Sequence, residues 1–365
     1  MERQTLTMQP ASAVLTIDLE AIVSNYRTLA HRAAPTECSA VVKADGYGLG
    51  ATTVGAALLA AGCQTFFVAA LSEGLDLRSA LGPAPRIFVL NGLPPGGEAL
   101  CLSATLLPVL SSVSQVKAWS EHGNGAPAAL QVDTGMSRFG LSVTEQVDLA
   151  GDLARLNLVL LMSHLANADE PEHRGNAAQL EAFRAAKGRF PTLPASLANS
   201  AGTFLGADYR FDLCRPGAAL YGIEAGPRVE GIVPTVQLTA QIAQIRTVAP
   251  GTHIGYGYTF EADRPMRIAT IAVGYGDGWP RHLSNGGAVW FGDYRLPIVG
   301  RVSMDSFMAD ISAVPPEQIA EGVAVELIGP HQTADDVGRL SGTIGYEILT
   351  RLGRRYARTY RAAKE

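Results

Sequence analysis

From Ser39 to about Leu213, short apolar runs alternate with longer stretches in which apolar residues recur at helical spacing. The apolar runs predict strands at residues 40–42, 65–69, 86–90, 106–110, 129–132, 158–162, 195–198 and 211–214. Alanine-rich helical patterns lie between them, for example at residues 51–61, 111–121, 143–156 and 176–188. Eight alternating strand and helix units predict an α/β fold, a (β/α)8 TIM-like barrel. A doubly wound open sheet is the structural alternative, because spacing alone does not prove closure.

The pattern changes near Pro234, where alternating, turn-separated segments replace the helical ones. Strands are predicted at residues 237–248, 266–273, 288–291, 296–310 and 323–328, and helices at 334–340 and 343–352. We therefore expect a barrel domain over residues 14–236 and a mostly-β domain over residues 237–365. A first strand at residues 13–17 precedes the barrel and could pair with the second domain.

Composition narrows the functional classes. The chain has 365 residues, 47% of them hydrophobic, and a net charge of −5 with acids and bases interspersed. It shows no basic stripe for nucleic acid and no basic cluster for a membrane surface, so neither partner is expected. No apolar run approaches the ~18–20 residues of a spanning helix. The segment from Met1 to Ala13 lacks a secretory pattern, and the four cysteines form no CxxC pair. We expect a cytoplasmic protein without disulfides or a metal site.

One lysine is the first candidate for chemistry. Lys43 ends the apolar run Ser39-Ala40-Val41-Val42 and opens a glycine-rich segment that predicts a flexible loop. The carboxyl ends of parallel strands are where such a barrel carries its working groups. Partial burial there lowers the pKa of a lysine, and the neutral amine is then a nucleophile that can form a Schiff base.

Polar residues follow four further predicted strands at the same rim. They are Asp133-Thr134-Gly135-Met136-Ser137-Arg138, Ser163-His164, Asn199-Ser200 and Arg215-Pro216-Gly217. Each has an ordinary alternative: Asn199 could cap a helix, His164 could be a core histidine, and Arg138 could form a surface ion pair. Their occurrence together at one rim favours an active site.

The residues at this rim suggest a cofactor. Barrels often bind phosphate with the loops after the seventh and eighth strands, which here contain Ser200 and Gly217, and Tyr47 could add a phenolic donor. A phosphate site opposite Lys43 suggests pyridoxal 5′-phosphate. Arg215 would face the pyridine nitrogen and, as a donor, would leave that nitrogen unprotonated.

Val42-Lys43-Ala44-Asp45-Gly46-Tyr47-Gly48 resembles the pyridoxal-lysine signature of the alanine racemases. Further blocks resemble that family in order: the four named above, Gly255-Tyr256-Gly257, Val273-Gly274-Tyr275-Gly276-Asp277-Gly278, Gly300-Arg301-Val302-Ser303-Met304-Asp305 and Thr343-Ile344-Gly345-Tyr346-Glu347. The resemblance implies a barrel plus a β domain and a head-to-tail homodimer with shared active sites. It also implies interconversion of L-alanine and D-alanine, either for peptidoglycan synthesis or for alanine catabolism.

The resemblance assigns roles to residues. Lys43 would handle the Cα proton on the D side, and Tyr256 from the partner subunit would handle it on the L side. His164, in contact with Arg215, would supply the positive surroundings that a tyrosine base needs. Arg138 and Met304 would bind the substrate carboxylate, and Arg138 would also contact the pyridoxal phenolic oxygen. The phosphate would be bound by Tyr47, Ser200, Gly217 and Tyr346, and other parts of the cofactor by Asn199 and Arg215. Tyr275 and Tyr346 would line the substrate entrance.

The chain departs from the family at Gln131, where many members carry a carbamylated lysine that positions the arginine. We hypothesise that Gln131, or a chloride beside it, orients Arg138 instead. Three other functions stay open: a broad-specificity amino-acid racemase, a barrel-type pyridoxal decarboxylase, and a non-catalytic pyridoxal-binding barrel. The last of these resembles only the barrel half of the chain.

Overall fold

The structure is a computed structural model that describes residues 11–227 and 229–362. Most of the polar amino-terminal segment, for which no secretory signal is expected, lies outside the described residues, as do residues 363–365 of the expected second domain. The described chain divides into two units. One spans Ala21–Val233, and the other combines the described residues up to Glu20 with those from Pro234 onward.

The first unit is built on parallel strands that are almost wholly buried, as expected for a sheet covered on both faces. The strands are Glu37–Cys38, Ala40–Val41, Thr65–Val68, Arg86–Val89, Leu107–Leu110, Pro127–Gln131, Asn157–Met162, Ala195–Ser196 and Leu213–Cys214. The first two are halves of one strand interrupted at Ser39, so the positions around the sheet number eight, as predicted.

Backbone hydrogen bonds close this sheet. Glu37–Cys38 pairs in parallel with Leu213–Cys214 on one side of the first strand, while its second half pairs with the next strand along the chain. The last strand also joins the seventh, because Arg215 donates its N–H to the carbonyl oxygen of Ala198 at 2.9 Å. The eighth strand therefore bonds to both the first and the seventh, and the barrel prediction is confirmed over the open sheet.

Helices connect most of these strands. They are Leu19–Ala33, the short turn Lys43–Tyr47, Ala51–Ala60, Leu71–Leu81, Glu98–Ser103, Val113–His122, Val143–Asp148, Ala150–Leu153 and Arg174–Arg189. The sequence predicts one helix at 143–156, whereas the chain leaves helical geometry at Leu149 and forms two. After the seventh strand the chain forms only the 3-10 turns Ala201–Phe204 and Ala207–Tyr209, since glycines interrupt that short connection.

The second unit is an antiparallel β barrel. In pairing order its strands are Met266–Ile271, Phe307–Asp310, Tyr294–Val299, Ala288–Phe291, Ala324–Ile328, Val236–Val248, Ala13–Asp18 and Ala357–Arg361. Val236–Val248 closes the barrel because its first half pairs with Ala324–Ile328 and its second half with Met266–Ile271, with an irregularity between the two. Ala13–Asp18 pairs antiparallel with Val236–Val248 and parallel with Ala357–Arg361.

The remaining elements of this unit are small. They are the hairpin His253–Ile254 with Phe260–Glu261, the helices Ala334–Leu340 and Gly345–Arg351, and the 3-10 turns Tyr256–Tyr258, Tyr275–Asp277, Arg281–Leu283 and Pro316–Gln318. The single strand predicted at residues 296–310 is wrong. Gly300, at φ 75°, ends the first strand, and a loop carries the chain to Phe307. Within the described ranges, no helix is long and apolar enough to cross a membrane.

Candidate active site

Lys43 begins a left-handed turn at the end of the first barrel strand. Five consecutive residues after it have positive φ: Ala44 at 52°, Asp45 at 54°, Gly46 at 63°, Tyr47 at 56° and Gly48 at 83°. The turn is hydrogen-bonded from the Gly46 N–H to the Val42 carbonyl at 2.8 Å and from the Gly48 N–H to the Ala44 carbonyl at 2.7 Å. The sequence predicts a flexible loop here, whereas the structure holds an ordered and strained turn, a feature that is typical of functional sites.

The surroundings of Lys43 favour its neutral amine. Burial lowers its pKa most, and the positive charge of Arg138 lowers it further, while Glu73 opposes both. A lysine in this state can act as a nucleophile or accept a proton nearer to neutral pH than an exposed lysine can.

Arg215 lies fully inside the barrel mouth and contacts neutral oxygens. Its guanidinium donates to the carbonyl of Ser163 at 2.6 Å, to the carbonyl of Leu197 at 3.4 Å, and to the hydroxyl of Ser196. Burial lowers its pKa to about 10. The guanidinium therefore remains protonated at neutral pH and can only donate hydrogen bonds.

His164 lies half-buried beside these cations. Burial, followed by the charges of Arg215, Arg138 and Lys43, lowers its pKa to about 3. With that pKa the imidazole is neutral at pH 7, and the role expected of His164 beside a tyrosine base stays a prediction. The positive surroundings come from the arginines and Lys43.

The rim carries positive charge, and the negative charge of Glu73 acts on Lys43 without forming an ion pair with it. Within residues 11–227 and 229–362, no carboxylate forms an ion pair with Lys43, Arg138 or Arg215. A buried charge is stable only when it is compensated. This donor set suits an anionic ligand.

The loops after the seventh and eighth strands form a second part of the site. Ser200 Oγ accepts the N–H of Gly217 at 2.9 Å and that of Ala219 at 3.3 Å. Tyr47 packs so closely that a Cβ on Gly217 would lie 2.4 Å from its phenolic oxygen, and its ring stacks on Tyr221 with centroids 4.7 Å apart. Two N–H groups, a hydroxyl and a phenol thus converge at the start of a 3-10 turn, which is a suitable cradle for a phosphate group.

Asp133 organises the loop that carries Arg138. Burial raises its pKa, but backbone N–H groups of Gly135, Ser137 and Met136 outweigh that effect and leave the pKa below its usual value. The Asp133 carboxylate accepts these bonds at 2.9–3.2 Å. Sequence reasoning gave Asp133 no role, although an aspartate before Thr-Gly is a recognisable turn signal.

Two candidates make contacts that differ from those expected. Asn199 Oδ1 accepts the Gly202 N–H at 2.9 Å and so caps the 3-10 turn Ala201–Phe204. Gln131 is buried and donates to the carbonyl of Phe139 at 3.4 Å. No described hydrogen bond joins Gln131 to Arg138, whose exposed guanidinium lies 6.0 Å from the Phe139 ring centroid.

The other candidates lie in the second unit, where one loop links three of them. The loop between Gly300 and Phe307 carries Met304, whose carbonyl accepts the Gly276 N–H at 2.9 Å; the neighbouring Tyr275 N–H bonds to Ser303 at 3.0 Å. The turn of Tyr256 abuts the same loop, since a Cβ on Gly257 would lie 3.1 Å from the Arg301 guanidinium. Tyr256 is 74% exposed and Met304 54% exposed.

Arg355 fixes the geometry of this group. Its guanidinium bonds to the carboxylates of Asp277 and Asp305, each at 2.6 Å, and so ties the Tyr275 turn to the Met304 loop. Tyr346 lies half-buried in the helix Gly345–Arg351. The candidates thus fall in two units: Lys43, Tyr47, Arg138, His164, Asn199, Ser200, Arg215 and Gly217 lie in the barrel unit, and Tyr256, Tyr275, Met304 and Tyr346 lie in the β unit.

Comparison with known proteins finds relatives that match nearly the whole chain. The profile of the alanine racemase N-terminal domain matches residues 17–225, and that of the alanine racemase C-terminal domain matches residues 235–360. A catabolic alanine racemase of Mesorhizobium japonicum is 51% identical over 358 residues, covering 96% of this chain and 93% of the relative. The alanine racemase of Brucella ovis is 51% identical over 371 residues, covering 96% and 94%.

Solved structures agree with this placement. The crystal structure of alanine racemase from Bartonella henselae with covalently bound pyridoxal phosphate has a TM-score of 0.93 at 45% identity, covering 96% of this chain and 100% of that one. The biosynthetic alanine racemase of Pseudomonas aeruginosa has a TM-score of 0.88 at 36% identity, covering 97% and 100%. The two-unit fold, the ordered motifs and these matches show that the chain belongs to the alanine racemase family.

Proposed function

We propose that this protein interconverts L-alanine and D-alanine with pyridoxal 5′-phosphate linked to Lys43. The observation that carries the proposal is the barrel mouth itself. A half-buried lysine of lowered pKa shares the rim with a phosphate-type cradle and a buried arginine. A family relative with covalently bound pyridoxal phosphate supports the cofactor assignment.

The residues present fit this cofactor. Its phosphate matches the cradle of Ser200, Gly217 and Tyr47, and its negative charge would complement the positive charge at the rim. Tyr346 would add a further phosphate contact, and Asn199 would lie beside the cofactor. When bound, pyridoxal phosphate supplies an electron-withdrawing ring that stabilises negative charge at the substrate Cα.

Arg215 would set the electronic state of the ring. With a pKa of about 10, the guanidinium keeps its protons at neutral pH, so it would donate to the pyridine nitrogen of the bound cofactor. It cannot supply the protonated nitrogen that an aspartate partner would stabilise. We therefore expect side reactions such as transamination to be suppressed.

Racemisation needs a proton removed from one face of Cα and delivered to the other. Lys43 would hold or release that proton on the D side, and Tyr256 of the partner subunit would do so on the L side. The high exposure of Tyr256 within one chain supports a role in a site completed by a second copy. Two bases on opposite faces exchange roles without either crossing the substrate plane.

The same arrangement would select a small amino acid. Arg138 would bind the substrate carboxylate and orient the cofactor's phenolic oxygen, and Met304 of the partner subunit would offer its backbone N–H. Tyr275 and Tyr346 would narrow the entrance so that little beyond a methyl side chain passes. The proposal includes a cytoplasmic homodimer. Its activity would serve either the supply of a peptidoglycan precursor or alanine catabolism. Relatives named as catabolic and as biosynthetic alanine racemases support the shared chemistry.

An anion beside Gln131 would orient Arg138. The Gln131 amide is directed to a backbone carbonyl and carries no charge, so the guanidinium needs a different negative partner. We propose chloride in that place. Crystals grown with bromide should show anomalous density between Gln131 and Arg138; an empty site with Gln131 directly on the guanidinium would exclude the anion.

The function is tested by turnover and by cofactor trapping. Purified protein is assayed with L-alanine, L-serine, L-lysine and L-arginine, and borohydride reduction is followed by peptide mapping. We expect racemisation of alanine above all others and the reduced cofactor on Lys43. Lys43→Ala should lose the cofactor link, whereas the surface control Lys117→Ala should keep it. Preferred turnover of lysine or arginine, or release of carbon dioxide, would instead establish one of the alternative activities.

A further inference from the structure

Glu73 connects the ends of two barrel strands. It is the third residue of the helix Leu71–Leu81, which follows the second strand. Its Oε2 accepts the N–H groups of Ala69 at 2.7 Å and Ala70 at 3.2 Å. A glutamate at this helical position commonly caps its own helix in this way.

The second carboxylate oxygen has a different partner. Glu73 Oε1 accepts the N–H of Ala44 at 2.7 Å, across 29 residues of sequence. Ala44 directly follows Lys43 and opens the run of positive φ angles. The first N–H group of a helical turn has no partner within the turn, so it depends on an acceptor from elsewhere.

This bond opposes unwinding of the turn. Non-glycine residues disfavour left-handed geometry, so Ala44, Asp45 and Tyr47 need outside contacts to remain there. Asp45 supplies one by accepting the Ala51 N–H at 2.8 Å, and Glu73 supplies the other at the opposite end. The backbone on both sides of the turn is thereby fixed, and with it the direction of the Lys43 side chain.

We propose that Glu73 is a positioning residue for Lys43: its carboxylate bridges the second strand end to the Ala44 N–H and so holds the turn that directs the lysine amine. The inference rests on the proposed function only for its effect on turnover. The bridging role itself concerns this chain's backbone and has its own readout.

The negative charge of Glu73 has a separate effect on the pKa of Lys43. Of the charged or titratable groups around Lys43, Arg138 lowers the lysine's pKa and Glu73 raises it, while His164 is neutral near pH 7. Loss of the carboxylate would therefore both release the turn and lower the pKa of Lys43 further.

Glu145 provides a matched control. It occupies the same position in the helix Val143–Asp148, and its carboxylate accepts the Ser142 N–H and hydroxyl, both at 2.8 Å. It makes no described bond to the Lys43 turn. Glu145→Ala therefore removes a helix cap of the same kind without touching the proposed bridge.

The test compares wild-type protein, Glu73→Ala, Glu73→Gln and Glu145→Ala by hydrogen exchange of residues 42–48 and by steady-state kinetics. A glutamine caps a helix nearly as well as glutamate, but its single acceptor oxygen cannot serve both Ala44 and the pair Ala69 and Ala70. It therefore keeps the protein testable if the alanine variant does not fold. Two N–H groups, those of Ala69 and Ala70, bind the glutamine oxygen on one side, so the oxygen should stay there. The N–H of Ala44 would then have lost its acceptor.

We expect both Glu73 variants to exchange faster at residues 42–48 and to lose kcat by about 10- to 100-fold with a smaller change in KM. Glu145→Ala should match wild type in both measurements, whatever it loses in thermal stability. Exchange and kcat in Glu73→Gln equal to wild type would overturn the proposal. If wild-type protein does not racemise alanine, the proposed function fails, whereas the exchange comparison still decides the role of Glu73.

Discussion

A methyl group on Gly217 would enter the most crowded point of the proposed phosphate cradle. In Gly217→Ala, the new Cβ would lie 2.4 Å from the phenolic oxygen of Tyr47 and 3.1 Å from its Cζ. Tyr47 has little room to retreat, because its ring is 7% exposed and stacks on Tyr221 at 4.7 Å. The φ of Gly217 is −127°, outside the left-handed region, so the expected effect comes from the clash with Tyr47.

The magnitude follows from two consequences of this clash. Overpacking of a buried contact costs about 1–3 kcal/mol in the free energy of unfolding. Displacing the Tyr47 hydroxyl would also remove a hydrogen bond to a charged phosphate, worth about 1.5–3 kcal/mol. The second loss corresponds to roughly 10- to 100-fold weaker cofactor binding.

The assay combines denaturant unfolding with titration of cofactor-free protein by pyridoxal phosphate, and pyridoxal without the phosphate serves as the control ligand. Tyr47→Phe combined with Gly217→Ala removes the 2.4 Å contact, so it should recover part of the stability but none of the phosphate affinity. Wild-type stability and affinity in Gly217→Ala would refute the packing argument. Recovery of phosphate affinity in the double variant would refute the role of the hydroxyl.

Three further outcomes are expected. The pKa of His164 is about 3 in the folded protein and about 6.5 in the unfolded chain, so the free energy of unfolding should fall as pH decreases between these values. Urea unfolding of His164→Gln should show a smaller dependence of this free energy on pH. An unchanged dependence would contradict the burial of the imidazole. Arg355→Ala should raise the KM for alanine more than it lowers kcat, since the Met304 loop loses its anchor, whereas the surface ion-pair control Arg264→Ala should not; equal KM values in the two variants would exclude the anchor. Glu73→Gln should move the acid limb of the D-to-L pH profile to lower pH, because the neutral form of the Lys43 amine would persist further into acid; a shift to higher pH would contradict the sign.

The barrel strands could be predicted because buried parallel strands are continuous apolar runs, as in Thr65–Val68 and Leu107–Leu110. The strand spacing alone could not show that the sheet closes into a barrel. Closure depends on pairing between Glu37–Cys38 and Leu213–Cys214, which are distant in sequence. The loop after Gly300 was also missed, because the residues on both sides have a strand-like composition.

The candidate residues at the barrel rim could be grouped from sequence because the carboxyl ends of parallel strands lie together. The left-handed turn at Ala44 could not be read from the sequence, since alanine and aspartate rarely adopt that conformation without outside contacts. Glu73 was missed because its bridge exists only once two strand ends are adjacent. The lowered pKa of His164 could not be predicted from the sequence, because the surroundings that cause it are a property of the folded barrel.

A subunit-mixing experiment tests the shared alanine racemase site most directly. Lys43→Ala and Tyr256→Phe are each expected to be nearly inactive as homodimers. After subunit exchange, half of the dimers carry one chain of each kind, and one of the two sites in such a dimer regains both residues. Alanine racemisation should then recover to about a quarter of the wild-type rate. No recovery, despite mass-spectrometric proof of mixed dimers, would contradict a site that combines Lys43 of one subunit with Tyr256 of the other.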